Sequence, residues 1–248
     1  MKKGILLDIG GVLYEGDSSI KGAKEALCVL RERYTIRFLS NTSRVPPKNL
    51  LEKLRNMGFD IYEEELFTAL SAAKLFLKSQ NAKAYVIGTD EAKNYFDDLD
   101  GAMKYVLVCD AYKNFTYDAL NEGFRYLESG AGFIATNMNR YFKDIDGLSL
   151  DAGGFVKCLE YASDKMAKIL GKPNCEFFAL ALESMGLKKE EVVMVGDDIE
   201  SDILGAKACW ITTVMVKTGK FKEKDLLKGR PDFLIESIAD LPKLMEEV

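Results

Sequence analysis

Apolar runs that stop at a polar residue recur along this chain. Ile5, Leu6 and Leu7 lead into Asp8, with Gly10 and Gly11 just beyond. Residues 35–39 lead into Ser40-Asn41, 168–170 into Gly171-Lys172-Pro173, and 192–195 into Gly196-Asp197-Asp198. Such runs fit parallel strands covered on both faces. Between them the apolar spacing becomes helical. Ala23, Ala26, Leu27 and Leu30 share a face in 22–33, and Leu50, Leu51 and Leu54 do so in 48–57, where Pro46-Pro47 suit a first helical turn. Phe178, Ala181 and Leu182 share a face in 175–185, and 199–208 is a further helix. Strands over 213–216 and 233–235 complete this part.

The middle restarts the alternation, with strands predicted over 84–87, 105–109 and 132–135. Helices are predicted over 90–99, 117–127 (capped by Thr116) and 155–162, the last after a long loop from 135 to 154. The expected fold is therefore α/β: a Rossmann-like, doubly wound parallel sheet from 1–70 and 164–248, interrupted by a second α/β domain over 71–163.

Composition narrows the chemistry. The 248 residues suffice for one large or two smaller cores. Net charge is −5 with no long basic run, so no nucleic-acid partner is expected. No apolar stretch is long enough to span a bilayer, and the start is not expected to be a signal peptide. The five cysteines, Cys28, Cys109, Cys158, Cys175 and Cys209, are odd in number and scattered, without a CxxC, which reads as reduced thiols in the cytoplasm. There are 0 histidines, which excludes Ser-His-Asp, Cys-His and His-metal sites. GAGFIA at 130–135 enters a strand from a helix, the reverse of a dinucleotide fingerprint, and there is no P-loop.

In open parallel sheets ligands bind beyond the carboxyl ends of strands. If the four strands are neighbours, Asp8, Ser40, Lys172 and Asp197 share one crevice. Two carboxylates suit Mg²⁺, while lysine and a hydroxyl suit a phosphoryl oxygen. Backbone N–H groups over 9–11 would complete an anion cradle. A carboxylate beside a metal can also attack phosphorus. Asp198 and Asp202 are spaced i,i+4 and would share a helix face toward the metal.

Asp8 with GGVLY, Ser40-Asn41, Lys172-Pro173, and Gly196-Asp197-Asp198 with Asp202 resemble the four motifs of the haloacid dehalogenase superfamily. The insertion between the second and third motifs resembles the subfamily with a large α/β cap, which includes p-nitrophenyl phosphatases. The stretches GKPNCEFF, MVGDDIESDILGA and VKTGKF are similar to the phospholysine phosphohistidine inorganic pyrophosphate phosphatase branch and its hydrolase-domain paralogues. The resemblance implies Asp8 as nucleophile and Mg²⁺ ligand, with the Gly10 carbonyl and Asp197 as further ligands. It implies that Ser40 and Lys172 hold the phosphoryl group, with Gly11 and Asn41 beside it, and that Asp198 and Asp202 stand behind the ligands. In the cap, Asn137, Asn139, Arg140, Tyr141, Lys143 and 151–154 are candidates for contacting substrate. A homodimer through the cap is implied as well.

One position departs from the superfamily pattern. A second Asp, two residues after the nucleophile, protonates the leaving group; here that position is Gly10. The resembling branch also tends to lack it. The expected substrates are then small phosphorylated compounds with good leaving groups: phosphoramidates, pyrophosphate or aryl phosphates. Another acid, such as Glu15 or Asp17, is a replacement to weigh. The alternative is a catalytically weak phosphate-binding regulatory protein. A receiver-type signalling domain uses similar residues but needs about half this length and has no inserted domain.

Overall fold

The computed structural model of the chain describes residues 2–144 and 147–248. Ile5, Leu6 and Leu7 are fully buried, and their strand, Gly4–Asp8, lies inside a six-stranded sheet. The order is Phe233–Ile235, Thr212–Val216, Val192–Gly196, Gly4–Asp8, Thr35–Ser40, Leu66–Thr68. Gly4–Asp8 runs parallel to both neighbours, with Leu7 opposite Val195 on one side and Phe38 on the other. Parallel pairing in this register brings three strand ends to one edge. Burial on both faces explains why Val192, Val193, Met194 and Val195 follow one another without polar alternation.

The chain divides into two units: Met1–Ser40, Leu51–Phe67 and Lys172–Val248 form the first, and Asn41–Leu50 and Thr68–Gly171 the second. In the first, helix Ala23–Arg31 buries Ala23, Ala26, Leu27 and Leu30, the face that the spacing predicts. Helix Cys175–Met185 buries Phe177, Phe178 and Ala181. The helix predicted over 199–208 instead starts as a π-helical turn, Ile199–Leu204, and ends as the short α-helix Gly205–Ala208.

The second unit has its own parallel sheet, in the order Lys168–Ile169, Gly132–Ala135, Ala102–Val108, Ala82–Ile87. Alternate residues feed opposite cores, as strand geometry requires. Val106, Val108, Phe133 and Ala135 pack with Leu127, Val156 and Leu159 of helices Tyr117–Glu128 and Ala152–Ser163. Leu107, Cys109 and Ile134 pack with Leu70, Ala73 and Leu77 of helix Ala69–Ser79. Among the described residues no helix is long and apolar enough to cross a membrane.

Three expectations are corrected. The strand before Lys172 pairs with Gly132–Ala135, Lys168 facing Ile134, and not with the six-stranded sheet. A segment this short carries no signal for which sheet it joins. The stretch read as one long loop contains the antiparallel pair Tyr141–Asp144 and Gly147–Leu150. Finally, Cys175 and Cys209 form a disulfide, their Cα atoms 5.5 Å apart across a sequence separation of 34. Scattered spacing concealed it, because packing the start of one helix against the end of another is a long-range event. Cys28, Cys109 and Cys158 are free thiols, with Cys109 buried and its thiol pKa pushed up by that burial.

Candidate active site

The strand ends position the polar residues. Asp8 is the last residue of Gly4–Asp8 and Ser40 the last of Thr35–Ser40, while Asp197 directly follows Val192–Gly196. Apolar strands drag these polar groups into a buried edge: Asp8, Ser40 and Asp197 are all buried. Asp202 reaches the same place from the π-helical turn and is fully buried. Asp8, Asp197 and Asp202 each offer a carboxylate oxygen within 4.8 Å of the others.

Lys172 answers part of this charge. Its buried ammonium lies 2.5 Å from Asp8 Oδ1 and 2.6 Å from Asp202 Oδ1. Burial alone would lower the lysine pKa, but the two carboxylates outweigh it and raise it. One cation among three carboxylates leaves negative charge in a site shielded from water. Burial, then repulsion from Asp8 and Asp202, raises the Asp197 carboxyl well above its ordinary range. Burial likewise raises Asp202 to about 7, with Lys172 opposing and Asp8 and Asp198 adding to the rise. The donor set therefore fits a divalent oxygen-seeking cation, which would neutralise the excess that the protein leaves unbalanced.

Asp198 takes a different part from Asp202. Its Oδ1 accepts the N–H groups of Glu200 at 2.9 Å and Ser201 at 3.1 Å, capping the following turn, and its Oδ2 accepts Lys220 Nζ at 3.1 Å. Burial would raise its pKa, yet Lys220 and these N–H groups carry it below the ordinary value. Its own N–H donates to Asp202 Oδ2 at 3.1 Å, so it steadies Asp202 from behind. The two residues are i,i+4 neighbours, but Asp202 is the one that joins the carboxylate group.

The Gly11 N–H donates to Tyr14 O at 2.8 Å. Glu15 is engaged as well, accepting the Gly219 N–H at 2.5 Å, and Asp17 is exposed and 3.5 Å from Lys53. In the second unit, Asn137 is buried and its Oδ1 accepts the Asn139 N–H at 3.0 Å, so it shapes a turn. Arg140 is exposed there, Asn41 is half-buried, and the Lys143 side chain lies outside the described residues. Sequence reasoning missed Lys220, whose N–H donates to Asp197 Oδ2 at 2.7 Å. Its only signal was the stretch VKTGKF, which shows no chemistry by spacing.

Asp8, Ser40 and Asp197 thus meet at one edge of a parallel sheet, Lys172 lies between Asp8 and Asp202, and the chain has 0 histidines, an arrangement that fits the haloacid dehalogenase-like class. Comparison with known proteins agrees. A family model described as haloacid dehalogenase-like hydrolase matches residues 5–101, and a second, HAD-hydrolase-like, matches 169–241. The chain is 40% identical to human haloacid dehalogenase-like hydrolase domain-containing protein 2, covering 92% of this chain and 89% of that protein. It is 38% identical to human phospholysine phosphohistidine inorganic pyrophosphate phosphatase, covering 90% and 86%. Among solved structures, p-nitrophenyl phosphatase from Archaeoglobus fulgidus superposes with a TM-score of 0.91 at 27% identity, covering 98% of this chain and 99% of that one. The 4-nitrophenylphosphatase from Thermotoga maritima gives 0.90 at 26%, covering 98% and 97%. The chain belongs to the haloacid dehalogenase-like hydrolases.

Proposed function

We propose that this hydrolase is a Mg²⁺-dependent phosphatase acting on small phosphorylated compounds through an aspartyl-phosphate on Asp8. The observation that carries the reading is the buried Lys172 ammonium held between Asp8 and Asp202. It orients the Asp8 carboxylate through one oxygen and leaves the other to attack phosphorus. Asp8 and Asp197, with the Gly10 carbonyl, would hold the metal. When bound, Mg²⁺ supplies neutralising charge for the phosphoryl oxygens. Attack by Asp8 forms the new P–O bond as the bond to the leaving group breaks. Lys172 and the Ser40 hydroxyl stabilise the oxygens of the transferring group. Water then cleaves the acyl phosphate, releasing orthophosphate and restoring Asp8.

Gly10 sets the substrate class. An acid at that position would protonate the leaving group, and glycine cannot. The reading therefore favours leaving groups that need no proton from the enzyme, as pyrophosphate, aryl phosphates and phosphoramidates already protonated on nitrogen provide. Names among the relatives, with pyrophosphate, phosphohistidine and nitrophenyl substrates, support the same class. The second unit is proposed as the cap that selects substrate. A homodimer through it is proposed too, since Leu148 and Leu150 of its hairpin are exposed; size-exclusion chromatography with light scattering checks this.

The test is phosphate release from p-nitrophenyl phosphate and pyrophosphate, with and without Mg²⁺, with Asp8→Asn as the blank. Mg²⁺-dependent turnover that disappears in the blank is expected. A second reading, a phosphate binder without turnover, is favoured by Gly10 alone, and absence of release from both substrates would decide for it.

A further inference from the structure

We propose that Thr218, Gly219 and Lys220, together with Glu15, form a positioning clamp that presents one oxygen of Asp197 to the divalent cation; this rests on the metal-dependent reading above. The clamp begins with a slot. A Cβ built on Gly11 or on Gly219 would stand 2.0 Å from Asp197 Oδ2, and the one on Gly219 would also be 2.6 Å from Gly11 Cα. Both glycines have left-handed backbones, with φ of 78° and 69°. The carboxylate thus lies between two backbone segments that only glycine permits to come so close.

Hydrogen bonds close the slot. Thr218 Oγ1 donates to Gly11 O at 2.5 Å, and the Gly219 N–H donates to Glu15 Oε1 at 2.5 Å. These two bonds fasten the segment after Asp8 to the segment after Val216. The Lys220 N–H then takes Asp197 Oδ2 itself at 2.7 Å, while the Lys220 ammonium holds Asp198 at 3.1 Å. With Oδ2 enclosed and bonded, Oδ1 is the oxygen left for a cation, and the carboxylate cannot rotate to exchange the two. A carboxylate beside those of Asp8 and Asp202 needs such a constraint to keep one pose before the metal arrives. In this proposal the four residues are positioning residues that act through Asp197.

Calorimetric titration of Mg²⁺ into the chelator-treated full chain tests the proposal without using turnover. Thr218→Val and Glu15→Ala each open one fastening and are expected to weaken Mg²⁺ binding by about tenfold or more, the range for groups that orient metal ligands. Thr218→Ser keeps the hydroxyl and is expected to keep wild-type affinity. Gly219→Ala, if it folds by circular dichroism, is expected to lose more than either. Affinities of Thr218→Val and Glu15→Ala within about twofold of wild type would overturn the clamp and leave the phosphatase reading standing. A wild type that takes up no Mg²⁺ would overturn both.

Discussion

Gly10→Asp is the substitution with the clearest expected consequence. A Cβ built at Gly10 meets nothing within 4 Å, and the backbone there is not left-handed, so a side chain enters without strain. The position is exposed, and a new carboxylate there remains hydrated rather than joining the buried group. It stands two residues beyond Asp8, the proposed nucleophile, where an acid would meet the departing oxygen. General acid catalysis typically contributes about 10²- to 10⁴-fold, roughly 3–5 kcal/mol of barrier. That gain applies only to a leaving group that requires a proton. Alkyl phosphate hydrolysis should therefore rise by about 10²-fold or more, while p-nitrophenyl phosphate changes little. The assay is kcat/KM across phosphate esters graded by the acidity of the leaving alcohol, in wild type and Gly10→Asp. Wild type should depend steeply on that acidity and the variant should be flatter. A wild-type profile that is already flat, or an unchanged slope in a folded, Mg²⁺-responsive variant, would refute the reasoning.

Two further perturbations probe the buried charge and the disulfide. Asp197 and Asp202 have folded-state pKa values raised above their unfolded ones, Asp202 to about 7, so the folded chain holds protons that the unfolded chain releases. Their contribution to stability is greatest below the unfolded carboxylate range and is lost as pH rises toward and past 7. The melting temperature of chelator-treated protein should accordingly fall from pH 5 to pH 8, to the extent these two groups dominate, and Mg²⁺ should restore more at pH 8; an Mg²⁺ effect that is equal or larger at pH 5 would contradict the assignment. Cys175→Ser with Cys209→Ser should lower unfolding free energy by about 3–4 kcal/mol, the chain-entropy value for a closed loop of this size. Denaturant midpoints with and without reductant measure it, and a wild type indifferent to reductant would show that the bond does not form in solution.

Much of the site was legible because its signals are local. An apolar run ending in a polar residue announces a strand end, and Asp8, Ser40 and Asp197 each stand at one. The helical face of 22–33 was legible for the same reason: period and burial are written in adjacent residues. The hairpin Tyr14–Glu15 with Ser18–Ser19 and the strand Leu66–Thr68 were not, since two or three residues carry no period.

The remaining features depend on which distant segments meet. Lys168–Ile169 has the composition of a strand in either sheet, and its place beside Gly132–Ala135 follows from pairing across the second unit. Asp198 and Asp202 are chemically alike in sequence. The π-helical turn sends Asp202 to Lys172, while the N–H groups of that turn and Lys220 hold Asp198 outside the carboxylate group. Lys220 and Gly219 lie more than twenty residues from Asp197. Nothing in their identity indicates that one bonds Asp197 and the other walls it in. Local periodicity specifies which side of an element is buried, whereas the choice of neighbour is made by long-range packing, where one residue's partner is another's side chain far along the chain.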